Sequence, residues 1–133
     1  MRDPAHLRPA QPDQTVILVA EDEALVRNIV QIGLESSGYF VIAAADGGEA
    51  LELSRVFPGT IHAVVSDIVM PNLDGVSLRE QILLERPGVK VLLMSGTGAD
   101  LPLKGIPFLR KPFQIEELKT RVRQLLAAAR SAP

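Results

Sequence analysis

The 133-residue sequence contains no cysteine. That excludes a disulfide framework, a thiolate nucleophile and a cysteine-built metal centre. It also lacks a strong charge of either sign: a formal net charge of -2 gives no long-range attraction to nucleic acid or to an acidic membrane surface. No apolar run approaches the roughly 18 residues of a membrane-spanning helix, and the proline-bearing start Met1-Arg2-Asp3-Pro4 is too polar for a secretory signal. There are only two histidines, His6 near the start and His62 within an apolar run, and neither sits in a metal-ligand pattern. There is no internal repeat. A single cytoplasmic domain without membrane insertion is the expectation that remains, in a chain long enough to bury a core.

What is present is an alternation. Pro4, Pro9 and Pro12 mark residues 1–13 as a flexible tail, and residues 14–131 form the expected domain. Short apolar runs rich in Val and Ile, at residues 15–20, 40–44, 61–66, 89–95 and 106–110, fit strands covered on both faces. Between them lie segments of helical period. Asp22 is positioned to cap a helix that Gly38 ends, and Asp46 with Glu49 resembles a capping box opening a helix that stops before Pro58. Asp74 precedes a third helix stopped by Pro87-Gly88. The last helix, residues 114–130, carries Ile115, Leu118, Val122 and Leu125 on one face. Strand–helix alternation with right-handed crossovers predicts an α/β fold, a doubly wound five-stranded parallel sheet. One interval breaks the rhythm: residues 96–105 hold three glycines and a proline, so the fourth helix is expected to be short or missing.

Polar residues recur where the apolar runs end: Glu21-Asp22, Asp67, Ser95 and Lys111-Pro112. Taken singly, Asp22 reads as a helix cap, Glu21 as a solvated loop residue and Asp67 as a turn residue. Ser95 alone is a loop hydroxyl, Lys111 a surface charge and Phe108 a core aromatic. Their joint spacing says more. Ligands of an open parallel sheet sit beyond the carboxyl ends of its strands. In the order 2-1-3-4-5 the first and third strands are neighbours, so Glu21, Asp22 and Asp67 converge. Carboxylates that close need a cation, and Mg2+, which takes oxygen ligands and phosphate, is the natural one. With a hydroxyl and an ammonium added, the set is what a magnesium-assisted phosphoryl acceptor requires.

Four motifs carry a resemblance: Val16-Ile17-Leu18-Val19-Ala20-Glu21-Asp22-Glu23, Ser66-Asp67-Ile68-Val69-Met70-Pro71-Asn72-Leu73-Asp74-Gly75, Leu93-Met94-Ser95-Gly96 and Phe108-Leu109-Arg110-Lys111-Pro112-Phe113. In this order, over roughly residues 15–130, the chain resembles the receiver domains of two-component response regulators. The resemblance implies a flavodoxin-like fold and names Asp67 as phosphoacceptor. Glu21, Asp22, Asp67 and the backbone carbonyl of Val69 would hold Mg2+. Lys111 would neutralise phosphoryl oxygens, and Ser95 and Phe108 would form the switch. It also implies a Lys111-Pro112 bond that is often cis.

By the same resemblance the phosphoryl group would come from a histidine kinase or histidine phosphotransfer protein, and the phosphorylated form would control a downstream protein partner. The domain would be no enzyme beyond catalysing its own phosphorylation and dephosphorylation. One hydrogen bond from Ser95 to a charged group is worth about 1.5–3 kcal/mol, and a full reversal of a two-state population needs roughly 5.5 kcal/mol. A graded shift is therefore expected, Ser95 moving inward and Phe108 filling the vacated space. No helix-turn-helix follows residue 130, so direct nucleic-acid contact is not expected. The interval before Ile106 weakens the case for the usual dimer face, leaving a monomer or weak dimer.

The chain departs from the pattern at Glu21, where many relatives have aspartate, and at Val69, where some carry a polar residue near the attacking water. Two alternatives stand beside this reading: a receiver module of a hybrid histidine kinase, and a degenerate receiver that binds without phosphorylation. A flavin-phosphate protein is disfavoured because the phosphate would meet Glu21 and Asp22 rather than a glycine- and hydroxyl-rich loop.

Overall fold

The computed structural model describes residues 13–96 and 105–131. Five strands, β1 (Val16–Ala20), β2 (Phe40–Ala44), β3 (Ala63–Asp67), β4 (Lys90–Ser95) and β5 (Phe108–Arg110), alternate with helices α1 (Ala24–Glu35), α2 (Gly47–Val56), α3 (Gly75–Glu85) and α4 (Ile115–Ser131). All neighbouring strands are parallel, in the order β2-β1-β3-β4-β5. This is the doubly wound, flavodoxin-like sheet expected from the sequence. The proposed tail, and the interval in which a helix was expected to be short or missing, fall almost wholly outside the described residues.

The period of two along each strand divides the core between the sheet's faces. Leu18, Ile42, Val64 and Leu93 pack on one side with Ala50 and Leu53 of α2 and Leu78 and Ile82 of α3. Ile17, Val19, Val65, Leu92 and Leu109 pack on the other with Val30 and Leu34 of α1 and Leu118 and Val122 of α4. Each of these Val, Leu and Ile side chains, once fully buried, contributes roughly 1.5–3 kcal/mol. Both layers together hold the rim on which the polar residues stand.

Helix starts follow local chemistry, with one correction. Asp46 Oδ1 accepts from the Glu49 N–H at 2.8 Å, while Glu49 Oε1 reaches back to the N–H of Ala45, one residue before the position a capping box predicts. Asp74 Oδ1 caps α3 through the Ser77 N–H at 2.7 Å. Asp22 does not cap α1: the N-cap residue is Glu23, with no side-chain cap bond. Its carboxylate is grouped instead with those of Glu21 and Asp67.

Strand bounds also shift. β3 begins at Ala63; just before it, the His62 imidazole is a partner for β1, Nδ1 accepting the Val16 N–H at 3.0 Å. β5 is only three residues long, an edge strand whose Phe108 carbonyl accepts from Arg121 Nη2 at 2.8 Å.

Candidate functional site

The register brings the polar residues to one rim. Ala20 of β1 stands beside Ser66 of β3, so Glu21 and Asp67, the next residues of their chains, are neighbours. Asp67 in turn stands beside Met94, and Ser95 beside Arg110, which brings Ser95 and Lys111 to the same end. The Lys111 N–H donates to the Ser95 carbonyl at 2.7 Å, and the Lys111-Pro112 bond is cis.

Close backbone packing fixes Asp67. Its N-terminal neighbours are strand, and its own carbonyl lies where a Cβ on Gly75 would stand 2.2 Å away. The Gly75 N–H donates to Ile68 O at 2.8 Å, and the Ile68 N–H to Met94 O at 3.0 Å. The turn between also needs Asn72 in the left-handed region, φ 71°, a conformation asparagine tolerates better than most residues. Its side-chain amide donates to Asp46 Oδ2 at 3.0 Å, tying the turn to the cap of α2.

Glu21 is completely buried, Asp67 and Ser95 nearly so, and Asp22 is exposed. Lys111 Nζ joins the two buried acids, 2.5 Å from Glu21 Oε1 and 3.2 Å from Asp67 Oδ2. The second oxygen of each acid meets a backbone donor: Glu21 Oε2 the Glu23 N–H at 3.1 Å, and Asp67 Oδ1 the Ile68 N–H at 2.9 Å. Burial pushes the Glu21 carboxyl above its usual value despite the hydrogen bond from Lys111, with the Asp67 charge adding to the rise. Burial pulls on the Lys111 ammonium in the opposite sense, but the Glu21 hydrogen bond and the Asp67 charge outweigh it and hold the ammonium above the ordinary lysine range.

One carboxylate oxygen from each of Glu21, Asp22 and Asp67 lies within 4.8 Å of the others. Three hard anionic oxygens that close are a donor set suited to Mg2+ or Ca2+ and unsuited to a soft metal. The residues present therefore fit a hard divalent cation.

These distances and the fold agree with the family match: residues 17–123 fit the model of the response regulator receiver domain. The chain belongs to that family. Over 116 residues the receiver is 38% identical to the sensor kinase CckA of Brucella abortus, which covers 83% of this chain and 12% of the kinase. A receiver domain protein from Clostridium thermocellum superposes with a TM-score of 0.78 at 27% identity, covering 87% of this chain and 97% of that one. The response regulator TrrA of Thermotoga maritima, solved in complex with Mg(2+)-BeF, superposes at 0.73 with 30% identity, covering 85% and 100%. The chain spans a small part of the kinase and about half of a matched transcriptional regulator, 47% for ycf27 of Guillardia theta. Among the described residues no helix is long and apolar enough to cross a membrane.

The Phe108 side chain, on the edge strand, is 37% exposed rather than core-packed. The Val69 side chain is exposed beyond β3, and it is the backbone carbonyl of that residue, not its side chain, that the sequence reading names. One residue at the site escaped sequence reasoning. Arg27, on the first turns of α1, donates from Nη1 to the Glu21 carbonyl at 2.9 Å. On a helical pattern an arginine there reads as solvated charge, and its reach back to the preceding turn shows only in three dimensions.

Proposed function

We propose that residues 14–131 form a phosphoacceptor receiver, taking a phosphoryl group onto Asp67 from the phosphohistidine of a histidine kinase or phosphotransfer protein. The observation that carries this reading is the Lys111 ammonium held between Glu21 and Asp67 at the carboxyl rim of the sheet, with Asp22 alongside. A carboxylate oxygen of Asp67 forms the new O–P bond. The P–N bond to the donor imidazole breaks, and its electron pair stays on the ring nitrogen. Catalysis of such a transfer is mostly positioning and charge neutralisation. Lys111 faces one phosphoryl oxygen, and the Ser95 hydroxyl donates to another. The Ile68 N–H and the close packing of Gly75 hold Asp67 with its carboxylate beside Lys111 and grouped with Glu21 and Asp22.

Glu21, Asp22, Asp67 and the Val69 carbonyl would hold Mg2+, whose two charges would offset those of the incoming group. Phe108, exposed on β5, would turn inward as Ser95 is drawn to the phosphoryl group, and a downstream protein partner would read that shift. The same pocket returns the group to water. Nothing in the pocket favours a degenerate receiver, since its acids and its lysine are all in place.

The test is incubation with acetyl phosphate and Mg2+ followed by intact-mass spectrometry. One added phosphoryl group is expected, lost in Asp67→Asn and lost when the metal is chelated. Equal labelling of Asp67→Asn would reject Asp67 as acceptor.

A further inference from the structure

Of the three clustered acids, two are held by side-chain bonds and the third is not. Glu21 and Asp67 are buried and bonded to Lys111 and to backbone N–H groups. Asp22 is exposed, and no hydrogen bond among the described residues holds its carboxylate. Its place depends on the backbone of the turn between β1 and α1. That turn has an internal bond, Glu21 Oε2 accepting the Glu23 N–H at 3.1 Å, but Glu23 at the N-cap makes no side-chain cap bond and the first turn of α1 has no acidic residue.

Arg27 also spans the turn. Its backbone N–H donates to Glu23 O at 2.9 Å as the helix begins, and its guanidinium folds back to Glu21 O, also at 2.9 Å. The Glu21 N–H is already bonded to Ala44 O of β2 at 3.1 Å. The peptide joining Glu21 to Asp22 is therefore fixed by Arg27 at its carbonyl, and the orientation of that peptide sets the direction in which Asp22 leaves the chain.

We propose that Arg27 is a positioning residue for the divalent-cation site: through the Glu21 carbonyl it holds Asp22 where its carboxylate joins those of Glu21 and Asp67. The inference rests on the metal site given above. It differs in sign from a purely electrostatic role. A guanidinium beside a cation site repels the cation, so if charge alone mattered, removing it would tighten metal binding. If it positions Asp22, removing it loosens binding, as loss of an outer-shell support typically does, by about 10–100-fold.

The experiment is a Mg2+ titration of the full chain followed by backbone amide NMR, for the native protein, Arg27→Met, Arg27→Lys and Arg86→Met. Arg86 lies at the opposite end of the sheet and serves as a control for lost stability. The expected result is binding about tenfold weaker in Arg27→Met. Arg27→Lys, which keeps a donor, should stay near the native affinity, and Arg86→Met should match native. Arg27→Met binding as tightly as native or more tightly would overturn the proposal, as would an equal loss in Arg27→Lys or Arg86→Met. A native protein that binds no Mg2+ would instead remove the metal site itself.

Discussion

A methyl group on Gly75 would stand 2.2 Å from the carbonyl oxygen of Asp67. Gly75 carries no functional atom, yet α3 begins there so that its backbone can lie against the end of β3. The constraint is space, since Gly75 has no positive φ. Gly75→Ala must push the two backbones apart, at a cost of about 1–3 kcal/mol or more. Lower thermal stability and slower labelling by acetyl phosphate should appear together. Gly88→Ala, where nothing lies within 4 Å of the added Cβ, is the control and should be close to neutral. Native stability in Gly75→Ala would show that the turn can yield.

Lys111 joins two acids that would otherwise repel each other, one of them wholly buried. Lys111→Met keeps much of the volume and removes the charge. Breaking a fully buried pair costs about 3–5 kcal/mol, but the lysine and Asp67 side chains retain 15% and 11% exposure, so a cost at or just below the bottom of that range, about 2–3 kcal/mol, applies. A divalent cation supplies what the variant lacks. Mg2+ should raise the melting temperature of Lys111→Met more than that of the native protein, with both measured against chelator. An equal rise in both would separate the lysine from the cation's role.

Arg86 spreads its guanidinium over the end of α2 and the loop beyond it. Nε donates to Ser54 Oγ at 2.9 Å, Nη2 to Ser54 O at 2.7 Å and Phe57 O at 3.1 Å, and Nη1 to Gly59 O at 2.8 Å. The Ser54 carbonyl, in the last turn of α2, is one of those a helix end leaves without a partner, and the Phe57 and Gly59 carbonyls lie just beyond it. Burial holds the Arg86 pKa below the usual arginine value without removing its charge in the neutral range. Arg86→Met should lose about 2 kcal/mol by urea unfolding, given that a hydrogen bond to a charged group is worth about 1.5–3 kcal/mol and that the site is partly solvated. Arg86→Lys should recover only part of this, because an ammonium cannot reproduce the planar fork. Full recovery by lysine would show that charge, not geometry, is what matters.

The rim was legible because strand ends are marked by the chain itself: apolar runs stop at Glu21, Asp67, Ser95 and Lys111, and parallel order then brings those stops together. Helix starts at Asp46 and Asp74 were legible for the same local reason. What was not legible depends on reach across the chain. Asp22 has the sequence of a cap, but its carboxylate is grouped with Glu21 and Asp67, and the N-cap moves to Glu23. Arg27 and Arg86 look like surface cations until the carbonyls they satisfy, 6 and 27–32 residues away, are placed beside them. Phe108 reads as a core aromatic, but β5 is an edge strand, and its alternate side chains face outward.

His62 shows the same kind of reach in a residue that the sequence presents as part of a strand. Its backbone N–H donates to Val16 O at 2.9 Å, and the Val16 N–H returns to His62 Nδ1 at 3.0 Å. An imidazole accepting at Nδ1 carries its proton on Nε2, so the tautomer is set by the first residue of β1. Ring nitrogen chemical shifts at neutral pH should show the Nε2–H form. His62→Phe fills the same space without an acceptor and leaves the Val16 N–H short of a partner, at a cost of about 1–3 kcal/mol. His62→Asn offers a side-chain oxygen that can restore the acceptor, and it should recover part of the loss. If His62→Phe unfolds at the native denaturant midpoint, water reaches the Val16 N–H, and the imidazole is not what anchors the start of β1.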